Sequence, residues 1–539
     1  MSQIVPVIIV GGGPVGLTLS LDLSRRGIRN ILICDAPGTS THPKCNTTNA
    51  RSMEHFRRLG VASRIRFGGL PADYPTDIVY TTRLGGAEIA RIKFPSPREA
   101  SNGGSETPEP QHRISQIYLE EILLEAATAE PNAEIYFATR ATRFEDKGSH
   151  VRVEVIHLSS GKTKWMEARW LVGCDGARST VRKQCGIGYT GTSSVKREIF
   201  GGTMVATYFR SPELRSILTG HEGFMYWTLN PTIRSVTVAI DGDQHFLTHV
   251  QVPDGVEADA IDLRNLLPAI VGRAVDIDIC SSASWNAGFR LVAEEFRKGR
   301  FLLAGDAAHL FTPTGGFGMN TGIDDVANLA WKLAAVEEGW GGPALLDSYG
   351  AERRPVAFRN TAAASDIADV ITGFAIPEQI EAEGDEGNAA RALVARSIQS
   401  VATEEFLTVG VQLGVRYEDS PIIIPDGTEA PPDLRTQYVP TARPGSRLPH
   451  FADEEGVPVY DRLGIGFSLL IAGGDRAAAE AAVDSLATPV VIVALDPSRA
   501  ASLGARFLLV RPDQHVAWRG DDLPADFGAI VAIACGNGE

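Results

Sequence analysis

Six residues, Gly11-Gly12-Gly13-Pro14-Val15-Gly16, restrict this chain more than any others. They follow Ile4 to Val10, a near-continuous apolar run of the kind found in a parallel strand buried on both faces. They precede Leu17 to Arg26, whose apolar residues recur with helical spacing. A second apolar run, Ile31 to Cys34, ends on Asp35, about 20 residues past the last glycine. A lone G-x-G-x-x-G is weak evidence, but strand, glycine loop, helix and acid-terminated strand together define a parallel βαβ unit. The glycines let a pyrophosphate approach the backbone where a helix begins, and Asp35 suits a ribose hydroxyl. The same pattern recurs at Gly186 to Gly191 after a predicted helix, Arg178 to Cys185, and with no helix behind it, so there it reads as a loop.

Residues 301–325, FLLAGDAAHLFTPTGGFGMNTGIDD, repeat this logic far along the chain. Phe301 to Ala304 reads as a short buried strand ending in Gly305-Asp306. A Pro/Gly loop containing Pro313 follows, and a helix opens near Gly318 with Met319 and Asn320 in its first turn. Such a junction offers a carboxylate for hydroxyl groups and backbone N–H groups for a partly negative ligand. One long ligand touching both cradles explains why segments so far apart are each glycine-rich. A third strand end, Trp170 to Cys174, runs into Asp175-Gly176-Ala177-Arg178-Ser179 with the same geometry.

Two further segments belong to this layer. Asn49 to about Leu59 reads as a helix that places Arg51 near its start, either as an anion binder or as a solvated surface residue. Ser115 is placed to cap a helix carrying Ile117, Leu119, Ile122, Leu123 and Ala126 inward, with Gln116 free to donate to a cofactor or to face solvent.

Residues 69–110 are rich in Gly, Pro and Ser and leave the nucleotide-binding layer. After residue 190 the pattern alternates, in Phe224 to Leu229, Ser235 to Ile240 and Ala283 to Phe289, as half-buried antiparallel strands do. The two excursions predict one inserted sheet whose inward side forms a substrate pocket, with Tyr226, Trp227, His245, Trp285 and Arg290 as candidates. Aromatic residues in strands also pack as core, so that reading stands beside it. His245 and His249 share i, i+4 spacing, but no third ligand and no HExxH accompany them, and no metal is expected.

The net charge of −15 disfavours nucleic acid and anionic membrane as partners, so a phosphate-rich ligand must be held locally. No apolar stretch reaches the roughly 18 residues of a membrane span. The six cysteines form no CxxC, as expected for reduced thiols in a cytoplasmic protein. The first basic residue, Arg25, comes too late for the charged start of a signal peptide.

With GGGPVG, CDGARS and GDAAHLFTPTGGFGMN in that order, residues 4 to 360 resemble the FAD-dependent aromatic hydroxylases, single-component flavoprotein monooxygenases that include para-hydroxybenzoate and phenol hydroxylases. The resemblance implies a phenolic substrate, O2, and NADPH or NADH as co-substrate, with hydroxylation through a flavin hydroperoxide. It implies that Gly11, Gly13 and Gly16, with Pro14 in the same loop, and Asp35 hold the ADP half of FAD. Asp306 would bind ribityl hydroxyls, and Gly318, Met319 and Asn320 would lie beside the isoalloxazine, beyond Pro313. Asp175-Gly176 would serve both the FAD and the nicotinamide sides, and Arg51 and Gln116 match the family's usual flavin contacts. One departure is His42-Pro43-Lys44, where the family commonly carries arginine; lysine keeps the charge and loses the bidentate fork.

The expected fold is α/β, α+β overall: a Rossmann-like FAD-binding domain (1–68, 111–185, 291–370), an inserted antiparallel-sheet substrate domain (69–110, 186–290), a helical segment and linker (371–430), and a thioredoxin-like C-terminal domain (431–539). RPDQHVAWRG at 511–520 matches the ending of the larger hydroxylases, and without a CxxC that domain is expected to support or oligomerise, a homodimer being one such assembly. A Baeyer–Villiger or quinone-forming enzyme acting on a polycyclic polyketide-like substrate shares the scaffold. A flavin halogenase is disfavoured by the lack of Trp-x-Trp, and a plain NAD dehydrogenase leaves the Asp306 strand end unexplained. A non-catalytic flavin-binding module fits the motifs too, and oxygen uptake separates it from an enzyme.

Overall fold

The computed structural model describes residues 4–193, 202–371 and 375–538. Its first sheet sets five parallel strands side by side in the order Phe301–Leu303, Thr163–Gly173, Val5–Val10, Asn30–Ile33 and Ala133–Tyr136. Val7, Ile8, Ile9, Leu32, Leu171, Val172, Leu302 and Leu303 have no solvent-exposed surface, which is why these strands read as continuous apolar runs. The register places Val10 beside Gly173 and Ile33, and Gly173 beside Leu303. Three glycine-rich segments therefore leave the sheet along one edge, at the carboxyl ends of its strands, where open α/β sheets bind ligands. The Pro14–Arg25 and Phe317–Glu338 helices cover one side of this edge.

The second sheet has seven strands, Asp278–Asn286, Thr203–Arg210, His245–Gln251, Arg234–Ala239, Met225–Leu229, Ile78–Thr81 and Glu88–Ile92, in that spatial order. It unites the two predicted excursions, but one junction departs from the expected antiparallel pairing: Met225–Leu229 runs parallel to Ile78–Thr81. Its two faces bury different cores. Met204, Ala206, Trp227, Val236, Val238 and Leu247 look toward Phe317, Ile367 and Ile398 of the first domain and its helices. Val205, Phe209, Tyr226, Phe246 and Val250 look the other way, onto Leu263, Leu267 and Ile270.

Near the C-terminus, Phe467–Ala472 pairs parallel with Val490–Leu495 across the Arg476–Asp484 helix, and antiparallel with Phe507–Val510, which pairs with Val516–Gly520 before the Phe527–Ala534 helix. This βαβ unit followed by ββα is thioredoxin-like. Its sheet shares one core with Trp331, Leu345 and Val356 of the first domain. Residues 417–450, a Pro-rich stretch that reads as a linker across the expected 430/431 boundary, form a strap with Tyr417, Ile422, Ala442, Arg447 and Leu448 all buried.

The turn Arg511 to His515, between the last two strands, enters a buried charge network. Arg511 bonds both carboxylate oxygens of Glu352, at 2.6 and 2.9 Å, and Asp513 at 2.6 Å. Glu352 also accepts from Lys332 (2.6 Å), Asn328 (2.6 Å) and Ser420 (2.5 Å). Arg51, Lys332, Arg353, Arg447 and Arg511 are matched one for one by Glu54, Asp324, Asp325, Glu352 and Asp513, all buried.

Candidate active site

Glycines make the convergence of the three segments possible. Gly11 has φ +115°, and a Cβ there would lie 2.1 Å from the Cys174 carbonyl oxygen; one on Gly16 would lie 2.0 Å from the Gly11 oxygen. At Gly305 a Cβ would lie 3.1 Å from Val15 Cγ2, and at Gly322 one would lie 2.7 Å from Val15 Cγ2 and 2.9 Å from Gly305 Cα. The first glycine loop thus touches both the Cys174–Gly176 and the Gly305–Asp306 segments, as a single ligand spanning them requires. Gly13 differs: its missing Cβ faces open space, with nothing within 4 Å.

Both helices that begin at this edge lack a side-chain cap. Gly13 precedes Pro14 at the start of one, and Gly316, at φ +66°, starts the other. By contrast Asn49, Ser179, Ser211 and Asp262 each cap their own helix. Uncapped N–H groups keep partial positive charge available to an anionic or electron-rich ligand. Asp306 follows Gly305, which packs against Val15 in the first turn of the one helix and Gly322 of the other. Its surface is open, yet burial among surrounding protein raises its carboxyl pKa, with His309 and Lys44 opposing.

The cleft is held by hydrogen bonds behind it. Asp325 accepts from Gly305 N at 3.2 Å, His309 Nε2 at 2.6 Å and Arg353 Nε at 2.8 Å. Asn320 Nδ2 donates to Gly316 O (2.6 Å) and Thr47 O (2.9 Å), while its Oδ1 accepts from Asn49 N (2.9 Å). Tyr189 Oη donates to Asp306 O at 2.9 Å. That tyrosine corrects the reading of Gly186 to Gly191 as a mere loop, because Tyr189–Thr192 is a strand paired with Arg290–Ala293.

The remaining predicted residues divide. Gly318 and Met319 are half-buried in the first turn of the Phe317 helix, and Pro313 is exposed in the loop before it. Asp35 lies two residues past its strand and pairs with Arg140 at 3.3 Å, both largely exposed. Asp175 accepts from Ser179 Oγ (2.5 Å), Thr180 N (2.6 Å) and Val181 N (3.1 Å), so its carboxylate starts a helix, beside Gly176 at φ +76°. Gln116 Nε2 donates to Glu120 (2.6 Å), whose other oxygen accepts from Ser40 N (2.6 Å). Ser115 does not cap its helix. Arg51 is neither a solvated residue nor a free anion binder: it donates to Glu54 (2.9 Å), Gln514 (2.6 Å) and Asp513 O (2.5 Å).

Of the pocket candidates, Tyr226 is the clearest correction. It lies on the far face of the second sheet, its hydroxyl accepting from Gly223 N at 2.7 Å, because alternation along the strand turns Trp227 and not Tyr226 toward the cleft. His245 shares the cleft-side face with Leu247 and is half-buried, its Nδ1 2.5 Å from Asp241. Arg290 is exposed, on the small three-stranded sheet and not on the seven-stranded one. Sequence reading noted His42 only within the His42-Pro43-Lys44 departure and not as a contact residue, yet its Nδ1 shares a 2.7 Å hydrogen bond with Ser281 across the two domains. It also left unassigned the edge-to-face contact of His249 with Trp285, at 5.8 Å between ring centres. Period-2 alternation through 245, 247 and 249 was the signal available for His249.

Among the described residues no helix is long and apolar enough to cross a membrane, and no group of three or more His, Cys, Asp or Glu side chains is placed to hold a metal. What the geometry does define is a dinucleotide-type cleft over a parallel sheet, roofed by a second, aromatic-faced sheet.

Residues 4–364 match the FAD binding domain family, and residues 441–537 match the aromatic-ring hydroxylase C-terminal family. The chain is 32% identical to 4-methyl-5-nitrocatechol 5-monooxygenase of a Burkholderia species, over 98% of this chain and 96% of that one. It is 31% identical to tetracenomycin A2 monooxygenase-dioxygenase of Streptomyces glaucescens, over 97% and 94%. The structure of chromopyrrolic acid-soaked RebC with bound 7-carboxy-K252c superposes with a TM-score of 0.91 at 35% identity, covering 100% of both chains. The class is therefore that of the flavoprotein oxidoreductases. Within it, the chain belongs to the FAD-dependent aromatic-ring hydroxylases, and it is an FAD-dependent monooxygenase.

The residues present fit FAD: two uncapped helix starts, an open approach at Gly13 and an enclosed acid at Asp306. Asp306→Ala is expected to weaken FAD retention at least tenfold without loss of fold, measured by equilibrium dialysis of the flavin; unchanged affinity would remove Asp306 from the site.

Proposed function

We propose that the protein hydroxylates a phenolic aromatic ring with NAD(P)H and O2. Gly13 and the start of the Pro14 helix would take the pyrophosphate, Asp35 the adenosine ribose and Asp306 the ribityl hydroxyls, with Gly318 and Met319 beside the flavin ring. FAD, when bound, supplies the redox and oxygen chemistry. The chain's own part is to orient the ring, keep water out and favour negative charge at the start of the Phe317 helix, by about 0.3–2 kcal/mol. The observation that carries the reading is the aromatic cleft-side face of the second sheet. Trp227 stacks on Tyr80 at 5.9 Å and shares one core with Phe317, the first residue of that helix. A flat apolar ring packed there would lie beside the cofactor edge.

A second reading, Baeyer–Villiger or quinone-forming oxidation of a polycyclic polyketide-like substrate, is favoured by the likeness to the tetracenomycin enzyme and to RebC. Oxygen uptake with NADH and with NADPH, over a panel of single-ring phenols and polycyclic hydroxyquinones, separates the two. Substrate-dependent uptake giving a hydroxylated phenol supports the first; activity confined to polycyclic quinones, with ring cleavage or quinone formation, supports the second.

A further inference from the structure

Behind the start of the Phe317 helix, a buried arginine and a buried glutamate stand near each other without joining. Arg113 is 5% exposed and Glu405 6%. Arg113 donates to Thr47 Oγ1 at 2.5 Å, and its guanidinium lies over the rings of Phe94 and Phe224, 5.2 and 5.4 Å from their centres. Among the described residues it makes no other hydrogen bond, although a guanidinium carries five N–H donors. Glu405 makes none, and its Oε2 is closed to solvent. No ion pair links the two, yet Arg113 is the charge that most offsets the rise in Glu405's pKa. A folded protein rarely keeps two such groups buried and underused unless something else completes them.

Their surroundings suit an aromatic ligand. Tyr80, Phe94, Phe224, Trp227 and Phe406 belong to the same apolar cluster. The cofactor edge is adjacent: Thr47, which Arg113 bonds, would lie 3.1 Å from a Cβ on Gly316, and the Cys45 thiol feels both Asp306 and Arg113.

We propose that Arg113 and Glu405 form the station for the substrate's ring hydroxyl, Glu405 accepting its proton and Arg113 holding the phenolate oxygen. This rests on the hydroxylase reading above. The O–H bond breaks, the electron pair stays on the ring oxygen and the proton moves to a carboxylate oxygen of Glu405; nothing is oxidised or reduced in the step. Burial pushes Glu405 up to about 8, with Arg113 opposing, and brings Arg113 down to about 10. Only the ionised form of Glu405, the minor one below about pH 8, takes the proton, and a carboxylate that basic is matched to a phenol beside a guanidinium. Tyr80, which also faces Glu405, is driven by burial well above its ordinary pKa and stays neutral, and Glu404 on the same helix pairs with Arg435.

The test uses FAD-loaded protein and alizarin, a hydroxyanthraquinone whose absorption moves to the red on ionisation. Bound to the wild type, alizarin is expected to ionise at least one pH unit below its value in solution. Arg113→Met should abolish that shift and Arg113→Lys keep part of it, both with FAD content unchanged. With any phenol active in oxygen uptake, Glu405→Gln should lower kcat at least tenfold at similar KM, with rescue by a nitrophenol already ionised at the working pH. Unshifted alizarin in the wild type, or an equal shift in Arg113→Met, overturns the station. A shifted spectrum beside a phenol panel with no oxygen uptake overturns the hydroxylase reading instead and leaves the station as a binding site.

Discussion

Glu352→Ala is expected to lower the free energy of unfolding by about 3–5 kcal/mol, because it strands the buried cation Lys332, leaves buried Arg511 with Asp513 alone and removes the acceptor of two donors, Asn328 and Ser420. Against a typical total of about 5–15 kcal/mol, that is a large fraction of the stability. The effect should be seen in both the first domain and the C-terminal one, since Arg511 comes from the latter and Glu352 from the former. Urea unfolding followed by tryptophan fluorescence reads it, Trp331 and Trp518 lying in the shared core. A shift under about 1 kcal/mol would show that the network contributes little. The same network sets an acid limit. Burial works against the charges of Glu54 and Glu352, but Arg447, Arg51, Arg511 and Lys332 outweigh it and hold both carboxyls at about 2, below the ordinary 4.5. Their stabilisation is therefore complete above pH 4.5 and is lost as the pH falls toward 2.

Gly11→Ala and Gly13→Ala should separate fold from cofactor. At Gly11 the new methyl meets the Cys174 carbonyl at 2.1 Å in a left-handed backbone, so strand ends must part and the protein should lose both stability and FAD. At Gly13 the backbone is extended, with φ −79°, and the methyl meets no protein atom within 4 Å. That variant should fold with an unchanged unfolding midpoint but bind FAD at least tenfold more weakly, because the methyl occupies the approach expected for a pyrophosphate. Flavin absorbance after gel filtration, beside thermal unfolding of the apoprotein, checks both. Full FAD retention in Gly13→Ala would move the pyrophosphate elsewhere.

The nucleotide-binding layer was legible because its signals are local. A strand buried on both faces, a glycine that must clear a carbonyl and a helix start all leave marks within ten residues or so of one another. Asp306, Met319 and Asn320 fall where the sequence places them for that reason. Side-chain direction was less legible. Tyr226 and Trp227 are neighbours in one alternating strand, and which of them faces the cleft depends on the helices stacked on each side, a tertiary fact. Arg51 illustrates the other limit. Its partners at Asp513 and Gln514 are more than 450 residues away, and no local pattern announces them. The strap at 417–450 read as a linker because proline and polar residues dominate it, while its anchors, Arg447 and Tyr417, are single residues engaged with distant groups.

Asp513 and Gln514 reach Arg51, Arg51 reaches Asp324, and Arg353 joins Asp324 to the Asp325 that orients Gly305. During synthesis the segments that cradle the nucleotide emerge long before residue 511. A growing polypeptide would carry them with Glu352 still lacking Arg511 and Glu54 still lacking Arg447, so the capture of flavin should wait until the thioredoxin-like part has been translated and has docked.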